Sequence, residues 1–152
     1  SRIRQLSAAF GSHLRSRVGA AFLFAIETGM RAGEIAGLQP ENVDLDHKVA
    51  HLTRTKNGTA RDVPLSAKAV SILQEVGEFN LTTEQISSLF RKIKGRTLIK
   101  DLTFHDTRHE AITRLSKKLD VLDLARMVGI RDLKILMVYY NATASEIAER
   151  LD

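Results

Sequence analysis

The sequence predicts a mainly α-helical domain that contains a small three-stranded antiparallel sheet, an α+β fold. Apolar residues recur at the three- and four-residue spacing of helices on both sides of a middle segment, residues 42–64, in which apolar and polar residues alternate. Within that segment, Lys56-Asn57-Gly58-Thr59 has the composition of a hairpin turn. The 152 residues, 43% of them hydrophobic, are enough for one domain with a buried core.

Two helices are predicted before the alternating segment. Residues 16–28 carry apolar side chains at helical spacing and are followed by Gly29, which stops the helix. Residues 31–37 form a short second helix that directs Ile35 and Leu38 inward. The three strands of the alternating segment are then predicted at residues 43–45, 49–53 and 61–64.

Six helical segments are predicted after the sheet. Ser66 caps the first, which continues to about residue 76, and Thr82 or Thr83 begins the second. Between them, residues 77–80 form either a loop or a join across missing residues. The others are predicted at residues 102–119, as a helix or a turn entering one, at 121–128 before Gly129, at 132–139 and at 143–151.

Composition limits the classes of function. Lys and Arg number 23 against 18 Asp and Glu, and the resulting net charge of +5 is a mild basic excess that suits a polyanionic partner. The absence of cysteine excludes disulfides and thiolate metal sites and fits a reducing cytosol. No apolar run reaches the roughly 18 residues of a membrane span, so we expect no membrane role. The chain begins Ser1-Arg2-Ile3-Arg4, without Met or a signal peptide, and we expect it to be cut from a longer protein.

Two arginines are candidates for a phosphate site, because a guanidinium is a permanently charged planar fork that matches phosphate oxygens. Arg31 lies between two predicted helices, and Glu34 either holds it by a hydrogen bond or forms an ordinary surface ion pair with it. Arg108 shares a helix face with His105, and beside a buried surface it needs a carboxylate or a substrate phosphate as partner. The alternative for this pair is a solvated helix face. His109 is expected at the edge of the core, hydrogen-bonded to backbone.

A lysine and two tyrosines complete the candidate residues. Lys56 at the hairpin tip either aids solubility or is a flexible cation that reaches a phosphate or donates a proton. Tyr139 and Tyr140 are the only tyrosines of the chain. A phenol with a pKa near 10 is a nucleophile only where cations stabilise the phenolate or a base takes its proton, and the two arginines and His105 are residues of that kind. None of these motifs needs a metal or a nucleotide loop, so we expect no cofactor.

The order of these motifs resembles the tyrosine recombinase (phage integrase) family from about residue 17 to the end. The motifs are Thr-Gly-x-Arg-x-x-Glu-Ile at 28–35, Thr-Lys-Asn-Gly at 55–58, Leu-Thr-Phe-His-Asp-x-Arg-His at 102–109, and the late tyrosine. The resemblance implies that residues 1–152 are the catalytic domain of a site-specific DNA recombinase, and that the family's upstream DNA-binding domain is not part of this chain. It also implies a 3′-phosphotyrosine intermediate, which conserves bond energy and requires neither ATP nor metal.

The resemblance also assigns roles to the candidate residues. Arg31 and Arg108 would clamp the scissile phosphate and stabilise the charge of the transition state. Lys56 would donate a proton to the leaving 5′ oxygen. His105 would hydrogen-bond the phosphate or assist proton transfer, and Glu34 would support the site. His109 is placed with the supporting residues.

The nucleophile follows from the family's Gly-His pair, whose histidine stands nine residues before the tyrosine. Here Ile130 follows Gly129 and stands nine residues before Tyr139, so Tyr139 is the predicted nucleophile and Tyr140 the alternative. Ile130 departs from the family pattern. Because isoleucine cannot donate a hydrogen bond to phosphate, the departure implies weakened cleavage.

The last segment, residues 141–152, carries Ile147 and Leu151 on an apolar stripe too short to be stable as an isolated helix. It either packs on its own domain or, as the resemblance implies, docks on a neighbouring protomer to form a homo-oligomer on double-stranded DNA. The leading interpretation is a phage or mobile-element integrase that acts in the bacterial cytoplasm or nucleoid. The alternatives are a DNA-relaxing enzyme of topoisomerase IB type and a non-catalytic DNA-binding module of the same fold, which Ile130 favours.

Overall fold

A computed structural model of the chain describes residues 17–53, 60–94 and 103–152, and it confirms the predicted α+β class. In chain order the elements are α1 (Arg17–Thr28), α2 (Ala32–Ala36), a 3-10 turn (Pro40–Asn42), β1 (Val43–Asp44), β2 (Val49–Leu52), β3 (Arg61–Pro64), α3 (Ala67–Val76), α4 (Thr83–Lys94), α5 (Asp106–Leu115), α6 (Val121–Val128), α7 (Leu133–Leu136), a second 3-10 turn (Met137–Tyr139) and α8 (Ala144–Glu149).

The three strands form one antiparallel sheet in the order β1-β2-β3. Ala50 pairs with Val43 on one side and with Val63 on the other, and Leu52 pairs with Arg61. Ala50 and Val63 are fully buried, whereas His51 between the inward positions is exposed, as the predicted alternation requires. The predicted turn at 56–59 lies outside the described residues, and so does Lys56.

Helix α1 is the centre of the core. Ten of its twelve residues are buried, which is the behaviour of a helix that is apolar on all sides. Phe22 stacks on Phe90 of α4 with ring centroids 5.6 Å apart, and Phe24 packs against Phe79 at 5.3 Å. Residues 77–80 form a loop, and the buried ring of Phe79 fixes this loop to the core.

A helix is found at each of the eight predicted segments, and three of these helices differ clearly from the predicted bounds. The helix predicted at 102–119 is α5, which begins at Asp106 after a turn, and the Asp106 carboxylate accepts hydrogen bonds from the Thr103 N–H and hydroxyl across that turn. The alternative of a turn entering a helix is therefore correct at this position. The segment predicted at 132–139 divides into α7 and a 3-10 turn, and the last helix is limited to the six residues of α8. Residues 16 and 102, the predicted first residues of two helices, lie outside the described ranges.

The predicted caps are confirmed at two helices. The Ser66 hydroxyl accepts from the Ala69 N–H at the start of α3, and the Thr82 hydroxyl accepts from the Gln85 N–H at the start of α4. Within the described ranges, every helix is too short or too polar to cross a membrane.

Candidate active site

The candidate site lies where the ends of α1 and α6 meet the beginnings of α2 and α5. Gly29 follows α1 and Gly129 follows α6, each with a φ of 73°, and this left-handed backbone turns the chain sharply after each helix. A Cβ placed on Gly29 would lie 3.1 Å from the Val128 side chain, so the two helix ends are in close contact. Arg31 is the N-cap residue of α2, and Arg108 lies in the first turn of α5.

Arg108 is buried and is held by the two helix ends. Its Nη1 donates to the Gly29 carbonyl and its Nη2 to the Val128 carbonyl, each at 2.7 Å. Carbonyls at helix C-termini lack intrahelical partners and carry partial negative charge, so they satisfy a guanidinium without a carboxylate. Of the two alternatives, a carboxylate or a substrate phosphate, the carboxylate is not found as a hydrogen-bond partner in the described part of the chain, and the substrate phosphate stays a prediction.

The electrostatic environment of Arg108 is positive. Burial, together with the charges of Arg31 and Arg61, lowers the pKa of Arg108 to about 10, against an opposing effect of Glu34. Arg108 remains charged at neutral pH. Its two carbonyl bonds use two of the five N–H donors of a guanidinium, and the other donors are available to a ligand.

Glu34 holds Arg31 as predicted. The backbone N–H of Arg31 donates to Glu34 Oε1 at 2.9 Å, and Arg31 Nη1 lies 3.6 Å from Glu34 Oε2. The Arg31 side chain keeps 23% of its surface exposed, so its fork is accessible at the mouth of the site.

Arg61 is a site residue that the sequence reasoning missed. Both of its terminal nitrogens donate to the Glu34 carboxylate, and its Nε donates to the Met127 carbonyl at 3.0 Å. A signal for it was present, because Arg61 has the same strand parity as the buried Val63 and must point inward. An inward charged residue needs a buried partner, and Glu34 was the available carboxylate.

The pKa of Glu34 is lowered by these contacts. Burial acts to raise it, but the hydrogen bonds from Arg61 and from the Arg31 N–H, together with the charges of both arginines, outweigh that effect. The carboxylate of Glu34 is therefore close to three guanidinium groups, those of Arg31, Arg61 and Arg108. The excess positive charge suits a phosphate diester.

The two tyrosines have different environments. The Tyr139 hydroxyl lies 3.3 Å from His109 Nδ1. It is also near enough to Arg108 that a phenolate at this position would raise the pKa of Arg108. The Tyr140 hydroxyl donates to the Leu119 carbonyl at 2.7 Å, and burial, with a smaller effect of Asp120, raises the pKa of Tyr140. A bonded phenol with a raised pKa is the poorer nucleophile, so the geometry favours Tyr139.

His109 differs from its prediction. It was expected at the core edge with a backbone hydrogen bond, but its ring is exposed and contacts the Tyr139 hydroxyl. The reason is that Ala111 and Ile112 occupy the buried face of α5, so His109 projects from another face. The ring of His105 stands 6.0 Å from that of His109, nearly perpendicular to it.

His105 is exposed at the start of α5, whereas Arg108 is buried. The two residues predicted to share a helix face therefore have different environments, one in solvent and the other in the core. Partial burial lowers the pKa of His105, and the positive charges of Arg108, His109 and Arg31 lower it further. His105 is therefore neutral at neutral pH, and its ring offers one N–H donor and one acceptor.

Ile130 lies beside this centre and lines a cavity of about 370 Å³ together with Arg61, Leu122, Ala125, Arg126, Gly129, Arg131 and Leu133. Its backbone N–H donates to the Ala125 carbonyl at 3.0 Å, and its side chain has no polar atom to offer a phosphate. Within the described ranges, no cluster of three or more His, Asp or Glu side chains is placed to hold a metal ion. Lys56 lies outside those ranges.

The fold is shared with solved site-specific recombinases. The crystal structure of XerA recombinase superposes with a TM-score of 0.73 over 97% of this chain and 61% of that chain, at 20% sequence identity. This similarity shows that the two proteins share a fold. The sequence matches the phage integrase family over residues 2–146, and the chain belongs to that family.

Two curated relatives are similar to this chain in sequence. A putative integrase/recombinase of Haemophilus influenzae is 46% identical over 147 residues, which cover 91% of this chain and 48% of the relative. A shufflon-specific DNA recombinase of Escherichia coli is 41% identical over 139 residues, which cover 86% of this chain and 36% of the relative. The chain therefore spans half or less of the length of these relatives.

Proposed function

We propose that this chain is the catalytic domain of a site-specific DNA recombinase, which cleaves and rejoins DNA strands through a 3′-phosphotyrosine intermediate. The observation that carries the proposal is the position of the Tyr139 hydroxyl beside His109 and within the electrostatic reach of Arg108. Membership of the phage integrase family supports it, and so do the names of the relatives, which are integrases and recombinases.

In the proposed reaction, the scissile phosphate binds to the available donors of Arg31 and Arg108. Two helix ends hold Arg108 in place before the substrate arrives, so little reorganisation is needed as negative charge grows on the phosphorus oxygens. His105, neutral at neutral pH, donates a further hydrogen bond to a phosphate oxygen.

The covalent step exchanges one phosphate ester for another. The Tyr139 oxygen attacks phosphorus, the new O–P bond forms, and the bond to the 5′ oxygen breaks. Lys56 is proposed to give that oxygen its proton. Because the phosphotyrosine conserves the ester bond, attack by a 5′ hydroxyl reverses the step, and no cofactor is required.

Ile130 limits the expected rate. At this position a histidine would supply one more donor to the transition state, and removal of such a donor typically slows a reaction by about 100- to 1000-fold. We therefore propose a domain with reduced cleavage. The second candidate function, a non-catalytic DNA-binding module of the same fold, rests on this residue.

The test is covalent trapping on a nicked suicide DNA duplex. We expect an adduct that is lost in Tyr139→Phe and kept in Tyr140→Phe. The reverse pattern would overturn the assignment of the nucleophile. An adduct formed by Ile130→His and not by the unchanged chain would place the defect at that residue and favour the non-catalytic module. An adduct together with relaxation of plasmids that carry no recombination site would favour the topoisomerase alternative.

The partners are proposed to be double-stranded DNA and further copies of the chain, in a bacterial cytoplasm or nucleoid. None of the residues of α8 is buried, and Leu151 after it is 77% exposed, which supports docking of the tail at 141–152 on a neighbouring protomer. A helix of six residues is not stable alone in water, and a neighbouring protomer would bury its apolar side chains. Deletion of residues 141–152 should convert oligomers to monomers on a sizing column, and an unchanged elution volume would contradict this.

A further inference from the structure

We propose that His109 is the general base of the cleavage step, the group that takes the proton of the Tyr139 hydroxyl as its oxygen attacks phosphorus. The inference rests on the proposed function and deepens it by naming the base. It starts from the 3.3 Å contact between His109 Nδ1 and the Tyr139 hydroxyl. A general base must lie within hydrogen-bonding reach of the proton that it removes, and such contacts are often longer before the substrate binds.

The phenol needs such a base. With an ordinary pKa near 10, a tyrosine is almost wholly protonated at neutral pH. Arg108 stabilises a phenolate through its charge, yet a guanidinium accepts no proton, because all of its polar hydrogens are donors. The proton must therefore move to another group as the new bond forms.

The two carboxylates in the described part of the site are engaged elsewhere, and of the two histidines there it is His109 that contacts the Tyr139 hydroxyl. The Asp106 carboxylate accepts from the Thr103 N–H and hydroxyl at 2.6 and 3.0 Å. The Glu34 carboxylate is bound by Arg61 and by the Arg31 N–H. These contacts leave His109 as the basic side chain that touches the nucleophile.

The surroundings of His109 suit a group that becomes positively charged. The carboxylate of Asp106 lies close enough for the charges of both histidines to lower its pKa, so it is ionised and favours the imidazolium. The neighbouring His105 has a lowered pKa and is neutral at neutral pH, so it opposes the new charge little. The ring of His109 is exposed, which lets its other nitrogen exchange protons with water.

In the attack step, the Tyr139 O–H bond breaks and its proton moves to His109 Nδ1. This nitrogen is unprotonated when the neutral ring carries its proton on Nε2. The oxygen lone pair forms the bond to phosphorus, and the electron pair of the breaking P–O bond remains on the 5′ oxygen. That oxygen takes its proton from the general acid proposed above, Lys56. In the rejoining step the imidazolium returns the proton to the phenol oxygen.

The experiment measures the single-turnover rate of adduct formation on suicide DNA with two leaving groups, the natural 5′ oxygen and a 5′-bridging sulfur. A sulfur leaving group needs no proton, so it rescues variants that lack a general acid and does not rescue variants that lack a general base. His109→Gln keeps a hydrogen-bonding side chain and cannot accept the proton. We expect it to slow both substrates by about 100-fold or more. The control is His47→Gln, in the turn between β1 and β2 where the exposed ring contacts Asp44, and it should slow neither.

The pH dependence gives a second readout. Without a basic side chain to take the phenol proton, the rate of His109→Gln should depend on hydroxide and rise with pH more steeply than the rate of the unchanged chain. Rescue of His109→Gln by the sulfur substrate, or a rate within about threefold of the unchanged chain on both substrates, would overturn the proposal. If neither the unchanged chain nor Ile130→His forms an adduct, the proposed function itself fails, and the two failures are distinguishable.

Discussion

Arg61 of β3 binds the Glu34 carboxylate of α2 through both of its terminal nitrogens, and the two side chains are only 9% and 5% exposed. The Nε of the same guanidinium donates to the Met127 carbonyl in α6. One side chain therefore joins the sheet, the helix that Arg31 caps and the helix whose last carbonyl holds Arg108.

The first prediction concerns the cost of breaking this pair. Arg61→Ala leaves a buried carboxylate without its main partner and should lower the free energy of unfolding by about 3–5 kcal/mol. Arg61→Lys keeps the charge but cannot form the two-pronged contact, and it should lose about 1–3 kcal/mol. Urea denaturation measures both values. As a control, Arg126→Ala removes an 81% exposed side chain 3.9 Å from Asp123 and should change stability by less than about 1 kcal/mol. Equal effects of Arg61→Lys and Arg126→Ala would contradict the prediction.

The second prediction is the pH dependence of this contact. Because the folded-state pKa of Glu34 is lowered, its ionised form contributes stability above the ordinary value of 4.5, and this contribution is lost as the pH falls through the folded-state pKa. The unchanged chain should be more stable than Glu34→Gln at neutral pH, and the difference should shrink on acidification. Urea unfolding of both proteins from about pH 7 to about pH 3 measures the difference. A gap that stays constant or widens at low pH would exclude this role of Glu34.

The sequence correctly predicted the structural features that depend on neighbouring residues. The alternation of the strands, the stop at Gly29 and the cap at Ser66 each depend on neighbouring residues, and each is found as predicted. Side-chain partners depend instead on packing between distant segments. Arg61 and Glu34 are 27 positions apart, and His109 and Tyr139 are 30 apart.

The guanidinium of Arg108 illustrates the limit most clearly. The sequence indicated that a buried arginine needs an anion, and the residue types offered carboxylates. The partners found are the carbonyls of Gly29 and Val128, 79 and 20 positions away. Every residue has a carbonyl, so residue type does not identify the two carbonyls that bind Arg108. Each lies at the C-terminal end of a helix and carries partial negative charge, and they can hold one guanidinium only because the two helix ends meet.

The third prediction concerns Gly129, whose left-handed backbone has a φ of 73° and a ψ of 38°. Alanine is strained in this conformation, and its Cβ would stand 2.8 Å from Nη1 of Arg61 and 3.1 Å from its Cδ. The backbone strain alone should cost about 1 kcal/mol, and Gly129→Ala should cost more because the Arg61–Glu34 contact must shift. Thermal or urea unfolding measures the cost. In an Arg61→Ala background the extra cost should disappear, and its persistence would show that the contact is not its cause.

The fourth prediction separates the two tyrosines by titration. Tyr139→Phe leaves Tyr140 as the one tyrosine of the chain, so the ultraviolet absorbance of tyrosinate then reports on Tyr140 alone. Burial raises the pKa of Tyr140, and the midpoint should lie above 10.0. Circular dichroism over the same range checks that the chain remains folded. A midpoint at or below that value would mean that the Tyr140 hydroxyl is not buried in solution as it is in the structure.

The fifth prediction distinguishes the two phosphate-site arginines, which activity alone cannot separate because both are proposed to be required for adduct formation. Arg108→Ala leaves the buried carbonyls of Gly29 and Val128 without partners, at about 1–3 kcal/mol for each, and should destabilise the domain strongly. Arg31→Ala removes a partly exposed side chain 3.6 Å from Glu34, while the backbone N–H bond to that carboxylate is unaffected, so it should cost less than about 1 kcal/mol.

Urea unfolding and adduct trapping on the same preparations measure the effect of each arginine on stability and on activity. Arg31→Ala should be folded at nearly full stability and inactive, which would locate its role in substrate binding. Arg108→Lys provides the matched comparison, because one ammonium retains the charge but cannot reproduce the planar fork that spans the two carbonyls. We expect it to lie between the unchanged chain and Arg108→Ala in stability. If Arg31→Ala were destabilised as much as Arg108→Ala, Arg31 would be a structural residue, and the division between an anchored and an accessible arginine would be wrong.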